Sequence, residues 1–462
     1  MSIKYFPNNE KPDLSSVDEN GKFVDKTFPH NIDSLFNMKN HLIDYSKYPD
    51  LYEEYKEEYK KEKEETENKI KKYEMKWKRI SDLITKEADE ENKDVPINQN
   101  ELGDCYFISF LRGLKYFQPD TYYSLIRYFD FNKGYYEINF FDKNGDEIVV
   151  YVDDYILMYP NTIPFFASIK KDEQYKIGRY LLIEKAFAKM NGCYFNINGG
   201  YQGINGSFAV AGINPIKLEE SFFSLDENSI YKMLKAELNA NNVVISGTKN
   251  PIYFKGLYEN HMYTVLNVDK KDDEIIKIIE LENPWGNNEE KDIEEFSLNL
   301  EKKYKFYEIS IKDYNKENVD NGKIKILIKN LKENFEYIEI CEFNSIEKDI
   351  KKEIKESPKG TPPWIPGNLN IFQRESIKRR RGILDILGVN SQDQQIFFNK
   401  YRRDIDKGFT DLTKCFVKYG TSKNTFDTFL NSFSNSGSQS NEQSSGFFSM
   451  LNPYNLYNKF FK

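Results

Sequence analysis

Three residues that are far apart in the sequence have side chains that could share one nucleophilic reaction: Cys105, His261 and Asn283. Cys105 follows the polar, glycine-bearing run 99–104 and precedes an apolar segment, so it is expected at the start of a buried helix. Unpaired N–H groups and the helix dipole at such a start lower the pKa of a thiol and favour the attacking thiolate. The position of Cys105 therefore predicts a reactive thiol, although an inert cysteine in a core helix would have the same sequence surroundings.

His261 begins an apolar, β-branched run, and Asn283 ends a second such run 22 residues later. If the two runs pair as antiparallel strands, the Asn283 amide can hydrogen-bond the His261 ring, select its tautomer and hold it toward the thiol. A histidine at the surface, or one satisfied within the fold, is the alternative for His261 taken alone. The order cysteine, histidine, asparagine along the chain is that of papain-like enzymes, which by itself is weak support for catalysis.

The elements that would position these side chains follow from the apolar pattern. Residues 135–157 alternate as two strands around a Lys-Asn-Gly-Asp turn, which predicts a hairpin. Helices are predicted over 178–191 and 228–239. From about 215 to 330, β-branched and aromatic runs alternate with turns, so the chain changes from mixed to strand-rich near residue 212.

Two further segments differ from this pattern. Residues 51–76 are rich in Glu and Lys at i,i+4 spacing with few apolar positions, which predicts a solvated helical insertion. A partner-binding helix or coiled coil is the alternative, although no heptad is sustained. Toward the other end, a proline-rich linker at 355–367 precedes a predicted helical segment at about 371–418 and a low-complexity tail that is expected to be disordered.

Composition excludes some classes of protein. The 462 residues include 66 Lys and Arg and 74 Asp and Glu, so the net charge of −8 gives no global attraction to nucleic acid. Four cysteines are too few for a disulfide scaffold. The chain opens without a signal-peptide pattern, and no run approaches the roughly 18 apolar residues of a membrane-spanning helix. We therefore expect an intracellular, cytoplasmic protein with no transmembrane segment and no nucleic-acid partner.

Three local sequences resemble the motifs of the calpain-type cysteine proteases. Residues 99–106 match the pattern Gln-Gly-x-Leu-Gly-Asp-Cys-Trp except at Asn100 and Tyr106, and residues 256–263 match Gly-Leu-x-x-x-His-x-Tyr. Residues 283–286 reproduce Asn-Pro-Trp-Gly intact. Weaker matches follow the order of the family at positions 23–35, 77–79, 152–154 and 181–194. The resemblance covers roughly 22–325, with 51–76 as an insertion, and a set of motifs in this order is highly specific.

The resemblance implies an α+β fold with a papain-like protease core, in which two subdomains face each other across a cleft. The helix-rich first subdomain, 77–212, would carry the cysteine. The strand-rich, barrel-like second subdomain, 213–330, would carry the histidine and the asparagine. An N-terminal segment with the charged insertion, 1–76, and a mostly helical C-terminal extension, 331–462, would flank this core.

The resemblance also implies roles for individual residues. The catalytic roles are nucleophile for Cys105, general base and then acid for His261, and orienter of the base for Asn283. Gln99, six residues before the cysteine, matches the residue that stabilises the oxyanion. Gly103 and Trp285 match the substrate cleft, where the tryptophan shields the histidine–asparagine pair and can wedge the cleft apart in an inactive state. The implied chemistry is acyl transfer through a thioester, which requires no cofactor.

Calpains are typically switched by calcium, with one site in each subdomain, and the resemblance makes Glu184 and Glu289 candidate ligands. The aspartate that the family has nine residues before the cysteine is Pro96 here, and Asp94 is the nearest substitute. Downstream of Glu289 the acidic pattern of the family is degraded. Calcium prefers six to eight oxygen ligands, so these losses leave calcium activation open.

Taken together, the sequence predicts an intracellular calpain-like endopeptidase that performs limited proteolysis of protein substrates. The alternative from another class is a catalytically silent homologue that acts as a binding or regulatory module. All four residues matched to the reaction are present, which argues for activity. A further alternative is an active protease that is held back by a regulatory partner, by its own 51–76 helix or by its C-terminal extension.

Overall fold

The structure is a computed structural model of the chain. The described residues are 11–37, 49–142, 145–171, 174–200, 206–212, 215–252, 257–271, 276–286 and 322–343. Glu289, the proline-rich linker, the predicted helical segment at 371–418 and the tail lie outside the described residues.

Helices and strands alternate along the described chain. The helices are α1 Ile32–Leu35, α2 Pro49–Lys72, α3 Ile80–Leu83, α4 Lys86–Asn92, α5 Cys105–Phe117, α6 Pro119–Ser124, α7 Leu182–Met190, α8 Gly206–Ala211, α9 Glu220–Phe223, α10 Glu227–Asn239 and α11 Leu331–Asn334. The strands are β1 Lys76–Arg79, β2 Ile97–Asn98, β3 Ile126–Asp130, β4 Tyr135–Phe141, β5 Glu147–Asp153, β6 Tyr155–Met158, β7 Ser168–Lys171, β8 Gln174–Lys176, β9 Ile216–Leu218, β10 Val243–Thr248, β11 Met262–Lys271, β12 Ile276–Glu282, β13 Lys323–Leu327 and β14 Phe335–Cys341. This mixture of helix and sheet fits the predicted α+β class.

The first unit, up to α8, packs its helices against three small antiparallel sheets, with strand orders β1-β6, β2-β7-β8 and β3-β4-β5. The predicted hairpin is confirmed, since β4 pairs with β5 from Tyr135↔Asp153 to Phe141↔Glu147. The predicted helix at 178–191 is present as a 3₁₀ turn, Arg179–Leu181, followed by α7. Alternating or helical placement of apolar residues thus positions both elements on one hydrophobic core.

Buried ion pairs hold the N-terminal segment on this unit. Lys189 of α7 reaches Asp25 at 2.6 Å. Arg79 of β1 contacts Asp18 at 2.8 Å and Asp154 at 2.6 Å, and its guanidinium is almost fully buried. Buried charges are tolerated where each is paired and hydrogen-bonded. The N-terminal segment is therefore an integral part of the first unit.

The charged helix α2 is mostly exposed but is anchored at two places. The ring of Tyr59 is only 6% exposed and packs edge-on against Phe36 and Phe195, with centroid distances of 5.5 and 5.3 Å. Near the end of the helix, Lys69 contacts Glu101 at 2.5 Å. The predicted solvated insertion thus has a packed face, and its last turn meets the segment that leads to Cys105.

The second unit is built on a six-stranded antiparallel sheet with the order β13-β12-β11-β10-β14-β9. Helix α10 begins after Asp226, whose side chain accepts from the N–H groups of Asn228 and Ser229, and it covers the sheet with apolar side chains. No pairing closes β13 onto β9 among the described strands. Barrel closure, which was part of the predicted architecture, is therefore not observed in this part of the chain.

Strand β14 extends the second unit beyond the boundary predicted at residue 330. It pairs with β10 from Val243↔Cys341 to Thr248↔Phe335 and with β9 on its other side. Phe335, Ile338 and Ile340 are buried, which holds the strand inside the sheet between β10 and β9. This strand was not predicted, because the sequence after residue 330 is rich in charged residues.

Helix α5 is the element that joins the two units. Ser109 Oγ donates to the carbonyl of Met262 at 3.0 Å, and Thr264 Oγ1 donates to the carbonyl of Ser109 at 2.7 Å. A Cβ atom at Gly113 would lie 2.7 Å from Val243 Cγ1, so only glycine permits this approach of α5 to β10. Helix α5, which begins with Cys105, therefore lies directly on the sheet of the second unit.

Within the described ranges, none of the helices combines the length and the apolar character needed to cross a bilayer.

Candidate active site

Cys105 is the first residue of α5. The carbonyl of Asp104 accepts from the N–H groups of Phe107 at 2.8 Å and Ile108 at 3.1 Å, which forms the first turn. Cys105 as a whole is half-buried, and its sulfur is largely enclosed. The backbone N–H of Met262 lies against the sulfur and favours its anionic form. The structure thus brings the cysteine of the first unit to the residue that follows His261.

The pKa of the Cys105 thiol is raised to about 11, which is opposite to the direction expected from the helix start. Burial is the main cause, and the negative charge of Asp104 adds to it. The N–H groups of Met262 and Tyr106 lower the pKa, but by less than burial raises it. A helix start alone does not set the pKa, because dense packing removes the water that would solvate a thiolate. A thiol with this pKa is protonated at neutral pH and can act as a nucleophile only where a base accepts its proton.

His261 and Asn283 meet at adjacent ends of β11 and β12, where Thr264 pairs with Glu282. Asn283 Oδ1 lies 2.9 Å from His261 Nε2 and accepts from the backbone N–H of Trp285 at 3.0 Å. Because the Trp285 N–H can only donate, the oxygen of the amide faces both groups, and His261 Nε2 carries the ring proton. His261 Nδ1 is then the basic nitrogen.

Three aromatic rings enclose the imidazole of His261. Its centroid lies 4.3 Å from Trp285, 5.1 Å from Tyr263 and 6.0 Å from Tyr258. The histidine is only 5% exposed. Burial lowers the pKa of His261 to about 4, although the hydrogen bond to Asn283 acts in the opposite direction. The imidazole is therefore neutral near pH 7, the state in which it can accept a proton.

The low pKa of His261 predicts a loss of stability in acid. Between about pH 6.5 and 4 the unfolded histidine binds a proton that the folded one does not, so the free energy of unfolding falls as the pH falls. At pH 4.5, His261 is expected to lower the free energy of unfolding by about 2 to 3 kcal/mol relative to pH 7. Urea unfolding of the wild type and of His261→Gln at pH 7 and pH 4.5 measures it. A smaller acid loss in the variant is expected, and equal losses would contradict the assignment.

Gln99 links the nucleophile segment to the second unit. Its backbone N–H donates to the carbonyl of Pro284 at 2.8 Å. Its side-chain Nε2 donates to the carbonyl of Leu102 at 2.6 Å, which fixes the plane of a buried amide. The amide nitrogen has two hydrogens, and this bond uses one of them.

Gly103 holds the nucleophile segment against the turn that follows α7. Its N–H donates to Asn198 Oδ1 at 2.8 Å, and its carbonyl accepts from the N–H of Gly199 at 2.8 Å. A Cβ atom at position 103 would lie 2.6 Å from Asn198 Oδ1. The second predicted cleft residue, Trp285, is half-buried against His261 and Tyr258.

Glu184 is placed inside the first unit and not at a cation site open to solvent. It is 1% exposed, and its two carboxylate oxygens accept from the N–H of Ala167 at 3.1 and 2.9 Å. Its carboxyl group meets that of Asp104, whose oxygens have no other donor among the described residues. Burial raises the pKa of both groups, and the charge of Glu184 further raises that of Asp104. Burial and the neighbouring carboxyl group therefore both favour the protonated form of Asp104.

Among the described residues, Glu184 is not part of a cluster of acidic side chains that could hold calcium. Asp94, the expected substitute ligand, accepts from the hydroxyl of Tyr123 at 2.5 Å. No group of three or more His, Cys, Asp or Glu side chains able to hold a metal occurs in the part of the chain that the structure describes. The ligand role of Glu184 therefore stays a prediction, and Glu289 lies outside the described residues.

Two parts of the site were not predicted from the sequence. Tyr258 packs against both Trp285 and His261, and Arg112 of α5 forms a buried ion pair with Glu282 at 2.6 Å. An arginine in the middle of the largely apolar helix α5 was the available signal for the second contact, because buried arginines need a partner.

The comparisons with known proteins agree with this geometry. A family model described as calpain family cysteine protease matches residues 23–342, well over half of the chain. The chain therefore belongs to the calpain family of cysteine proteases.

Individual relatives are distant. Calpain-9 of Rattus norvegicus is 25% identical over 261 residues, which are 53% of this chain and 36% of the relative. The calpain-1 catalytic subunit of Homo sapiens is 24% identical over 229 residues, 47% of this chain and 31% of the relative. Calpain-8 of Homo sapiens is 25% identical over 203 residues, 41% of this chain and 28% of the relative. The chain thus spans about a third of the length of these curated relatives.

Proposed function

We propose that this protein is a calpain-like cysteine endopeptidase that performs limited proteolysis of protein substrates. The observation that carries the proposal is the buried hydrogen bond between His261 Nε2 and Asn283 Oδ1. It leaves Nδ1 as a proton acceptor in a site where the Cys105 thiol lies beside the N–H of the next residue, Met262. A base, its orienting group and a thiol in one buried place are the requirements of acyl transfer by a cysteine.

In the proposed acylation step, the Cys105 sulfur forms a bond to the carbonyl carbon of the scissile peptide while the thiol proton passes to His261 Nδ1. The carbonyl π electrons move to oxygen, which becomes negatively charged. The Gln99 amide and the backbone N–H of Cys105 donate to this oxyanion, and such preorganised donors favour the transition state over the ground state. Asn283 holds the imidazole in one tautomer and stabilises the imidazolium that forms.

Collapse of the tetrahedral intermediate breaks the carbon–nitrogen bond. The leaving amine takes its proton from His261, and a thioester on Cys105 remains. A water molecule then attacks the thioester, gives its proton to His261, and the acid product leaves as the thiol is restored. The rings of Trp285 and Tyr258 exclude bulk water from the imidazole during these transfers.

One observation favours the silent homologue as a second candidate. The pKa of the thiol is raised to about 11 and that of His261 is lowered to about 4, so the resting pair is neutral and unreactive. A binding or regulatory module would retain such a site without turnover. In an active enzyme, the thiol would lose its proton to His261 at the same time as the sulfur attacks the substrate carbonyl. No free thiolate then has to be stabilised before the attack.

We expect the purified chain to cleave casein both with millimolar calcium and with a chelator, because among the described residues Glu184 is not part of a cluster of acidic side chains that could hold calcium. Fluorescent casein fragments are followed beside Cys105→Ser under the same two conditions. Activity in both, lost in the variant, would support a protease that does not need calcium at Glu184.

The other outcomes of this experiment separate the alternatives. Activity only with calcium would contradict the expected calcium independence and assign the switch to ligands outside the described residues. No cleavage in either condition would favour the silent homologue or an enzyme held back by a partner. Repeating the assay on a chain truncated at about Ser357 tests inhibition by the C-terminal extension.

A further inference from the structure

Arg112 lies seven residues after Cys105 on α5, about two helical turns further along the same side. Its side chain is buried, with 6% exposure. One end nitrogen, Nη1, donates to the carbonyl of Ile97 at 2.9 Å and to the side-chain oxygen of Asn98. The other, Nη2, donates to Glu282 Oε1 at 2.6 Å. The guanidinium of this α5 residue therefore contacts β2 and β12 at the same time.

The partners of Arg112 are direct chain neighbours of the proposed catalytic residues. Asn98 precedes Gln99, and Glu282 precedes Asn283. The same two segments touch at the hydrogen bond from the Gln99 N–H to the Pro284 carbonyl. The guanidinium thus connects the helix of the nucleophile to the segments of the oxyanion donor and the orienting amide.

A second close contact shows how tightly these segments fit. A Cβ atom at Gly286 would lie 2.4 Å from Asn98 Oδ1, the same oxygen that accepts from Arg112, and Gly286 has a φ of +70°. Only glycine adopts this conformation without strain and permits this approach. The oxygen of Asn98 is therefore confined between Arg112 and the loop that follows Asn283.

Stability alone does not account for such a group. A buried ion pair contributes little net stability, because desolvation offsets the attraction, and an apolar pair of similar volume often serves as well. A guanidinium additionally provides fixed hydrogen-bond geometry, since its planar group of donors sets the positions of several acceptors at once. Such fixed geometry is needed where reacting groups carried by separate structural units must be placed accurately against each other.

We propose that Arg112 is a positioning residue for the acyl-transfer site, which sets the register between the Cys105 helix and the segments that carry Gln99 and Asn283. It acts through Asn98 and Glu282 and does not contact the substrate. This inference rests on the proposed function for its kinetic consequences. Its structural consequence, the placement of Cys105 against the second unit, holds whether or not the chain cleaves peptides.

The first test compares Arg112→Met with Arg179→Met. Arg179 is also buried and doubly paired, with Asp89 at 2.5 Å and Glu90 at 2.6 Å, but it lies in the first unit away from the site. We expect Arg112→Met to lower kcat for a short peptide by about 10- to 100-fold per active site titrated, with KM nearly unchanged. Arg179→Met should keep the wild-type kcat per titrated site. Equal kcat values for wild type and Arg112→Met would overturn the proposal.

The second test separates positioning from stability. In the double variant Arg112→Met, Glu282→Met an apolar contact replaces the ion pair, and thermal unfolding should recover toward the wild-type midpoint. If Arg112 positions the site, kcat remains low in the double variant and is partly restored by Arg112→Lys, which keeps one charged donor. Recovery of kcat together with stability in the double variant would assign Arg112 a merely structural role.

A third readout does not depend on proteolysis. Alkylation by iodoacetamide is followed for each cysteine by mass spectrometry, with Cys193, which is fully buried, as the internal marker of an intact fold. In Arg112→Met the rate at Cys105 should rise at least about threefold while the rate at Cys193 is unchanged, because the sulfur becomes more exposed. An unchanged rate at Cys105, or a parallel rise at both cysteines, would overturn the proposal even if wild-type turnover were absent. Absent wild-type turnover with the expected alkylation change would count against the proposed function alone.

Discussion

Replacing Cys105 with alanine is expected to abolish peptide cleavage, with a loss of kcat/KM of about 10,000-fold or more. The sulfur is the atom that bonds to the substrate carbon in the proposed mechanism, and no other group in the site can form the thioester. Cys105 is only half-buried at the first turn of α5, so removal of its sulfur should leave the fold intact. Cleavage of a fluorogenic peptide, normalised to folded protein by circular dichroism, measures the effect.

The matched control for this experiment is Cys193→Ala. Cys193 is fully buried, and burial raises the pKa of its thiol to about 11, as at Cys105. It lies in the turn after α7 and has no part in the proposed reaction. We expect wild-type kcat per folded molecule in this variant and a covalent acyl adduct at Cys105 in acid-quenched wild type. Turnover retained in Cys105→Ala would exclude Cys105 as the nucleophile.

The second large effect is expected for Gln99→Ala, which should lower kcat by about 100- to 1,000-fold. The Leu102 carbonyl holds the Gln99 amide in place, so the donor is oriented before the substrate binds. Preorganised donors act mainly on the transition state, and KM should therefore change little. Steady-state kinetics on a short peptide measures kcat and KM separately.

Asn100→Ala provides the control for Gln99. It removes an amide of the adjacent residue, whose side chain instead bonds the Pro164 carbonyl at 2.9 Å and the Ser168 hydroxyl at 3.0 Å. We expect less than a threefold change in kcat for this variant, of the order of a lost hydrogen bond away from the reaction. If Gln99→Ala and Asn100→Ala had equal kinetics, Gln99 would not be an oxyanion donor.

The local sequence was sufficient to predict the elements that carry the site. The start of α5 at Cys105 followed from a polar run before an apolar one, and the meeting of His261 with Asn283 followed from two strand patterns separated by a turn. Hairpins and helix limits were also predictable, because apolar periodicity and turn residues act over short distances. The calpain family was recognisable from these motifs, and the family model that matches residues 23–342 confirms it.

Properties that depend on packing between distant segments were not predictable in this way. The pKa of Cys105 depends on how deeply the folded chain buries the thiol, and the helix start alone gives the opposite direction. Glu184 occupies a position matched to a calcium ligand, yet the Ala167 N–H and the Asp104 carboxyl turn it inward. The contact between Arg112 and Glu282 joins residues 170 positions apart, a distance at which no local pattern acts.

The ion pairs that fasten the N-terminal segment have a consequence for chain processing. Asp25 is locked to Lys189 inside the protein, and Phe36 shares an aromatic cluster with Tyr59 of α2 and Phe195 of the core. A single nick between residues 37 and 49 would leave both new ends held by these contacts. Residues 11–37 are therefore a structural part of the first unit, and we expect them to stay bound after such a cleavage and not to detach as a propeptide would.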